Sequence, residues 1–384
     1  MTEPIKTDLL IAGGGLAGGL VALALAHERP EIRVTLIEPG ALIGGNHIWS
    51  FFDEDVASEM AWLVEPLVCH RWIGNEVRFP GHSRTLRGGY NAIESERLDR
   101  VVREKLPAQA ILTGTVASLD PKGATLADGR RIEAKGVIDA RGARNLDAID
   151  LGWQKFVGRL LKLKAPHRLT RPVIMDATVD QANGYRFVYL LPFGPDRIFV
   201  EDTYYSATPD LDAAAIGGRI MDYAESQSWT VAAIEREEQA ALPIAMGGDF
   251  AALWPMRDRV PRVGMAAGLF QPMTGYSLPD AIRTAALIAA LPDLSSGALH
   301  AALHGHARRA WETRGFYRLL ARMLFRAAEP ATAYRLLDRF YRLDEGLIAR
   351  FYAGRSTMAD KARIFVGKPP VPLHRALGAL RERR

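Results

Sequence analysis

The chain opens on an apolar run, Leu9 to Ala12, stopped by glycines and followed by a small-residue and leucine stretch that ends before Pro30. That pattern predicts a buried strand, a glycine turn and a helix. "IRVTLIEP" (32–39) follows as a second strand closed by Glu38. Further on, "RIEAKGVIDARGAR" (131–144) predicts a strand over Gly136 to Ala140. "YRFVYLLPFGPDRIFVEDTYY" (185–205) has two β-rich runs around the turn "PFGPDR" and predicts a hairpin. "RVGMAAGLFQPMTGYSLPDAIRTAALIAAL" (262–291) predicts a short strand, a glycine-rich loop and a long helix starting near Gly275 to Ser277. Later, Phe316, Leu319, Leu320, Met323 and Leu324 recur at helical spacing, with Arg314, Arg318, Arg322 and Arg326 every four residues on another face.

These elements predict an α/β fold. A Rossmann-type dinucleotide domain begins in residues 1–152 with interleaved segments. A mostly antiparallel β-sheet substrate domain is inserted over 153–258, the first domain resumes over 259–300, and a basic helical region fills 301–384. The glycines fit G-x-G-x-x-G as Gly13, Gly15 and Gly18, between strand and helix, with Glu38 closing the next strand. Gly13 permits the tight turn, Gly15 lets backbone approach a pyrophosphate, and Gly18 allows close helix–strand packing. Glu38 can accept hydrogen bonds from ribose hydroxyls. The motif alone does not choose between NAD and FAD. The interrupted, revisited dinucleotide fold points to FAD, with Asp139 at the end of the strand that runs back beside the site. Gly268, Pro272, Gly275 and Tyr276 lie in the loop whose backbone N–H groups can face the flavin's pyrimidine edge. No second such glycine motif follows a strand, which argues against a separate nicotinamide domain.

Composition changes this picture little: 384 residues, 48% apolar and 24% charged, are ordinary for a globular chain of this length. Cys69 is the single cysteine, so internal disulfides and a cysteine metal cage are excluded and a reducing compartment fits. The N-terminus has no basic-then-apolar leader pattern. The longest apolar runs, such as "AALIAAL" (285–291), fall short of the roughly 20 residues of a membrane span. Charge is uneven: from Gly305 to Arg384 there are 18 Lys/Arg against 7 Asp/Glu. A local basic surface that meets an anionic membrane, or a helical cap with solvated arginines, fits better than a nucleic-acid binder. The two histidines of "HGHARR" (304–309) do not share a helix face, and no metal site is expected.

One short stretch carries chemistry of its own. "IFVEDTYY" (198–205) alternates its faces, so Glu201 sits with Phe199, Thr203 and Tyr205, and Asp202 with Val200 and Tyr204. Either this is an edge strand whose acids face water, or one acid points inward, where it finds a partner or keeps its proton.

"GGNHIWSF" (44–51), "MDATVDQANGYRFVYLLPF" (175–193), "EDTYY" (201–205), "REEQAALPI" (236–244), "AGLFQPMTGYSLP" (267–279), "GLIARFYAGRST" (346–357) and "GKPPVP" (367–372) together resemble the bacterial lycopene beta-cyclases, from first strand to tail. The resemblance implies a flavoprotein of carotenoid biosynthesis that turns both open ends of lycopene into β-rings, giving β-carotene through γ-carotene. It implies no net redox change, yet a need for reduced FAD, and a cytoplasmic enzyme peripheral to the bacterial inner membrane. Leu269 stands where many related flavoproteins carry an aspartate toward the cofactor.

Such a reaction needs a dry acid, a stabilised cation and a base. Glu201 is the expected proton donor, with Asp202 tuning or orienting it. Trp49, Phe51, Tyr185, Phe187, Tyr189 and Tyr204 are the aromatic candidates for the pocket. Gly44, Gly45, Asn46 and His47 lie in a loop expected to wrap the cofactor, with His47 as a contact ahead of a proton shuttle. Asp176 and Asp180 compete for catalytic roles, and Glu237 and Glu238 read as a solvated helix or strand end. A flavin-dependent hydroxylase or desaturase acting on a lipid, and a non-catalytic carotenoid or flavin carrier, are the alternatives.

Overall fold

The structure, a computed structural model, describes residues 5–144, 146–181, 184–366 and 378. The motif "GKPPVP" lies outside the described residues. Six strands form the first sheet, in the order Ile111–Thr113, Val34–Glu38, Ile5–Ala12, Arg131–Asp139, Gly123–Leu126, Val116–Asp120. The first four are parallel to one another and the last two turn back antiparallel. The run Leu9 to Ala12 is wholly buried at the centre, which is why it carries no polar residue. Gly13 then turns at φ +107°, where a Cβ would stand 2.6 Å from the Ala140 carbonyl oxygen. Only glycine suits that position. A Cβ on Gly18 would meet the Gly13 carbonyl oxygen at 2.0 Å, so the helix Leu16–Glu28 presses directly on the turn. The chain returns here after a long excursion. Val263 N–H donates to the Asp139 carbonyl, and the helix Leu278–Ala289 packs its apolar side into the same core as Leu16–Glu28.

The second sheet has seven strands, in the order Val231–Gly248, Ile149–Leu163, Arg197–Ser206, Arg186–Gly194, Val173–Asp176, Asn75–Phe79, His82–Leu86. All pairings are antiparallel except Val173–Asp176 with Asn75–Phe79. Its outer two strands come from the first 100 residues, a contribution that sequence patterning did not separate from the dinucleotide domain. Val157, Leu161, Val188, Leu190 and Val200 on one face pack against the helix Ala213–Ser226. The other face carries Tyr185, Phe187, Leu191 and Phe199 into a core shared with C-terminal helices. A small third sheet, Ile48–Phe52, Tyr90–Glu94 and His70–Trp72, lies beside them.

The C-terminal helices cover the second sheet, and this corrects the reading of their arginines as a free basic face. Arg314 is 7% exposed and pairs with Asp280. Arg318 lies over the Trp311 ring, Arg322 donates to the Met246 carbonyl at 2.7 Å, and Arg326 grips Asp150 through two 2.8 Å hydrogen bonds. Periodicity shows that these residues share a side of the helix, but the side they share is packed. Among the described residues, no helix is long and apolar enough to cross a membrane.

Candidate active site

A cavity of about 490 Å³ opens at the carboxyl ends of the parallel strands. Gly13, Gly15, Glu38, Gly44, Gly45, His47, Ala140, Arg141 and Ser277 are on its wall. Gly15 is the N-cap of helix Leu16–Glu28, no side chain caps that end, and a Cβ there would meet nothing within 4 Å. Free N–H groups and the positive end of the helix dipole therefore face open space, the arrangement that binds a pyrophosphate. The Glu38 carboxylate accepts from Gly14 N–H at 2.8 Å and Gly40 N–H at 3.0 Å, which holds it at the cavity wall. The residues present fit a flavin dinucleotide.

A second cavity, of about 240 Å³, adjoins the first: His47, Trp49, Met265 and Ser277 line both. Its wall is otherwise largely apolar and aromatic, with Tyr90, Phe156, Tyr189, Leu191, Phe199 and Tyr276, and Glu201 set among them. Cross-strand register puts Glu201 between Gly158 and Tyr189 on the inner face of the antiparallel sheet. Burial pushes the Glu201 carboxyl up to about 8; the Thr203 hydroxyl, donating at 2.6 Å, works against this, while the charges of Glu238 and then Asp202 add to it. The tyrosine hydroxyls are linked: Tyr276 lies 3.2 Å from Tyr90 and 3.1 Å from Tyr189. All three are pushed up by burial and stay neutral.

The structure does not bring every expected residue to these cavities. Asp202 is the clearest correction. Being next to Glu201 on a strand, it points to the opposite face, where Arg186 (2.6 Å) and Arg219 (3.1 Å) pair with it beneath helix Ala213–Ser226. Asp139 is held by its own neighbour Arg141 through two 2.8 Å hydrogen bonds; Arg141, not Asp139, lines the first cavity. Asn46 turns away and donates to the Glu237 carbonyl at 2.8 Å. Gly18 packs under the turn, while Gly268 caps a 3₁₀ turn with its Cβ position against Leu253. Pro272 is buried, with its carbonyl taken by Ala245 N–H, and Gly275 and Tyr276 reach the second cavity. Leu269 is wholly buried in the dinucleotide-domain core. Of the aromatic candidates, Trp49 and Tyr189 line the second cavity. Phe51 is core of the dinucleotide domain, Tyr185 and Phe187 stand behind the wall, and Tyr204 lies on the far face under Lys155. Asp176 is taken up by Thr178, Tyr223 and Arg78 on that far face.

Glu238, read from the sequence as solvated, is 3% exposed and bonded to His47 and Ile48. The signal was present in alternation, since Glu238 shares a strand face with Ala240 and Leu242. The run of charges around it masked that signal. Among the described residues, no three His, Cys, Asp or Glu gather as a metal site.

Solved structures with this architecture include a geranylgeranyl bacteriochlorophyll reductase-like protein of Thermoplasma acidophilum (TM-score 0.64, 14% identity, 96% of this chain and 98% of that one). A flavin-dependent halogenase of Xanthomonas campestris aligns with TM-score 0.59 and 13% identity over 100% of this chain and 99% of its own. At such identity the likeness is one of fold alone, a Rossmann-type dinucleotide domain joined to a largely antiparallel sheet. Sequence goes further. Residues 8–378 match the family described as lycopene cyclase protein. A lycopene beta-cyclase of Pseudescherichia vulneris is 46% identical over 370 residues, 96% of each chain, and one of Pantoea ananas is 43% identical over 373 residues, 97% of each. The chain belongs to the lycopene cyclase family.

Proposed function

We infer that this chain is a lycopene beta-cyclase, an isomerase that closes the open ends of lycopene into β-rings without net redox change. The observation that supports it most is the place of Glu201 on the aromatic wall of a cavity that adjoins a dinucleotide cradle, where burial pushes its carboxyl up to about 8. Gly13, Gly15 and the helix end behind them would hold the FAD pyrophosphate, Glu38 its ribose, and His47 and Ser277 the region where the two cavities meet. When bound in reduced form, FAD supplies an electron-rich ring that stabilises positive charge.

The chain's own residues account for the proton chemistry. Glu201 gives its proton to the terminal double bond at the hydrogen-bearing carbon, leaving a tertiary cation at the dimethyl carbon. The neighbouring double bond supplies the electron pair of the new carbon–carbon bond, which closes the ring and moves the cation onto it. Loss of an adjacent ring proton to the Glu201 carboxylate restores both the double bond and the acid. One proton enters and one leaves, so product and substrate have equal mass. The rings of Trp49, Phe156, Tyr189 and Phe199 offer cation–π contacts worth about 0.5–2 kcal/mol each, and their bulk keeps out water that would capture the cation. Anaerobic incubation of the purified protein with lycopene and chemically reduced FAD tests this. The expected product has unchanged mass in H₂O and, with the Glu201 proton exchanging with solvent between ring closures, carries one solvent deuteron per new ring in D₂O. Gain of oxygen, loss of hydrogen or consumption of a reductant in step with product would make the chain an oxidoreductase instead.

Lycopene does not travel through water, so the enzyme must meet it at lipid. Met358 (77% exposed), Phe365 and Val366 stand out beside Lys361 and Arg363, on and just after the helix Met358–Phe365, whose Ile364 packs against the core behind the site. This is a small apolar patch with basic neighbours, suited to an anionic leaflet. Vesicles containing anionic lipid are expected to co-sediment the protein at low salt. Binding should weaken in high salt and in a Met358→Ser, Phe365→Ser double variant, and equal binding of that variant would place the membrane contact elsewhere.

A further inference from the structure

Glu238 is a buried titratable group that the proposed reaction leaves unused. One of its oxygens lies 3.1 Å from His47 Nδ1, and the other accepts the Ile48 N–H at 3.0 Å. Register puts it in one row with Gly158, Glu201 and Tyr189, a residue from each of four adjacent strands. Residues in such a row share a face. The two glutamates therefore stand on the same side of the sheet with only a glycine between them, their backbones roughly 10 Å apart. Gly158 puts no side chain in the way. A Cβ there would meet Phe199 Cζ at 2.1 Å, so the Phe199 ring covers the gap and displaces water from it. Charges interact more strongly across such a dry gap than in solvent.

The other groups around Glu201 are already occupied. On its own strand Thr203 donates to it, and Asp202 is turned away onto Arg186 and Arg219. On the next strand Tyr189 is hydrogen-bonded to Tyr276, which in turn meets Tyr90. Arg236, on the strand of Glu238, pairs with Glu96 at 2.8 Å and donates to Ser95 and to the His47 carbonyl. His47 itself sits on Glu238.

We propose that Glu238, held by His47 and the Ile48 amide, is a positioning residue whose fixed negative charge keeps Glu201 in its proton-donating form. This is the part that sequence reading assigned to Asp202. The inference rests on Glu201 being the acid. A neutral side chain at 238 lets Glu201 lose its proton at lower pH, and the high-pH limb of the cyclisation rate moves with it.

The test compares wild type, Glu238→Gln, Glu238→Asp and Glu201→Gln with lycopene and reduced FAD across pH, following flavin absorbance for cofactor content. Glu238→Gln is expected to keep its flavin and to shift the high-pH limb acidward by about one pH unit. Glu238→Asp, which keeps the charge, is expected to leave the limb in place; should Glu238→Gln not retain flavin, this variant decides. An unmoved limb in Glu238→Gln, or an acidward shift in Glu238→Asp, overturns the proposal. If Glu201→Gln is inactive while the limb stays unmoved, only this inference fails. If Glu201→Gln still cyclises lycopene, the acid itself has been misassigned and both fall.

Discussion

Glu201→Gln is expected to lower cyclisation by at least 10²-fold and as much as 10⁴-fold, the usual contribution of a positioned general acid, while the flavin stays bound. The substitution keeps shape and a hydrogen-bond acceptor for Thr203 but removes the proton that the alkene must receive. Wild-type activity should fall as pH rises through about 8, because only the protonated carboxyl can act and burial holds it protonated up to that point. The same burial has a thermodynamic consequence of known sign. The folded carboxyl titrates at about 8 and an ordinary glutamate at 4.5. Between those values the native state holds a proton that the unfolded chain has released. Native stability therefore declines across that window as pH rises. At pH 7 the decline reaches an upper bound of about 3 kcal/mol. Glutamine carries no such penalty, so the inactive variant should melt higher than wild type at neutral pH and about level with it near pH 4. Product analysis by chromatography, flavin absorbance and melting curves at the two pH values check the three parts together. An inactive variant that also melts lower at pH 7 would mean a structural role for Glu201, and an active one would move the acid elsewhere.

What could be read beforehand and what could not follows from the range of the forces involved. The turn at Gly13, the helix start at Gly15 and the carboxylate of Glu38 are local: backbone geometry and a spacing of a few tens of residues define them. Alternation along residues 198–205 showed that Glu201 and Asp202 must part company, but not which face is the site. That choice is made by partners distant in sequence: Arg186 and Arg219 claim Asp202, and the dinucleotide domain closes over the other face. Glu238 was missed for the same reason. "EREEQA" has the look of a solvated stretch until strand Ile149–Leu163 and the His47 loop bury one of its four charges. The arginines at 314, 318, 322 and 326 show the limit from the other side. Their spacing defines a stripe, while its cover comes from Asp280, Trp311, Met246 and Asp150, up to 176 residues away along the chain.

Arg314→Ala is expected to be the most damaging single change to stability outside the apolar core. Asp280 is 3% exposed and receives two 2.7 Å hydrogen bonds from the Arg314 guanidinium, with Arg283 adding a third at 2.8 Å. Burial alone would raise the Asp280 pKa, but the charge and hydrogen bonds of Arg314, helped by Arg283, outweigh it and bring the group down to about 2. The sign is opposite to that of Glu201: this pair contributes stability above the ordinary aspartate value of 3.8, and the contribution is lost as pH falls toward about 2. Removing one partner of a buried pair leaves the other uncompensated, at a typical cost of 3–5 kcal/mol. The position makes this more than a local loss. Arg314 ends the helix Ser296–Thr313, and Asp280 sits in the first turn of Leu278–Ala289, whose start, with Ser277 and Ala281, walls the first cavity. Breaking the pair should therefore loosen the cofactor cradle as well as lower the melting temperature. The double variant Arg314→Leu, Asp280→Leu, which leaves no buried charge from the pair, is expected to recover much of the stability lost by Arg314→Ala. Melting curves and flavin retention on gel filtration separate the outcomes. A double variant no more stable than Arg314→Ala would show that the side chains hold the two helices through shape, and that the charge pair contributes little of its own.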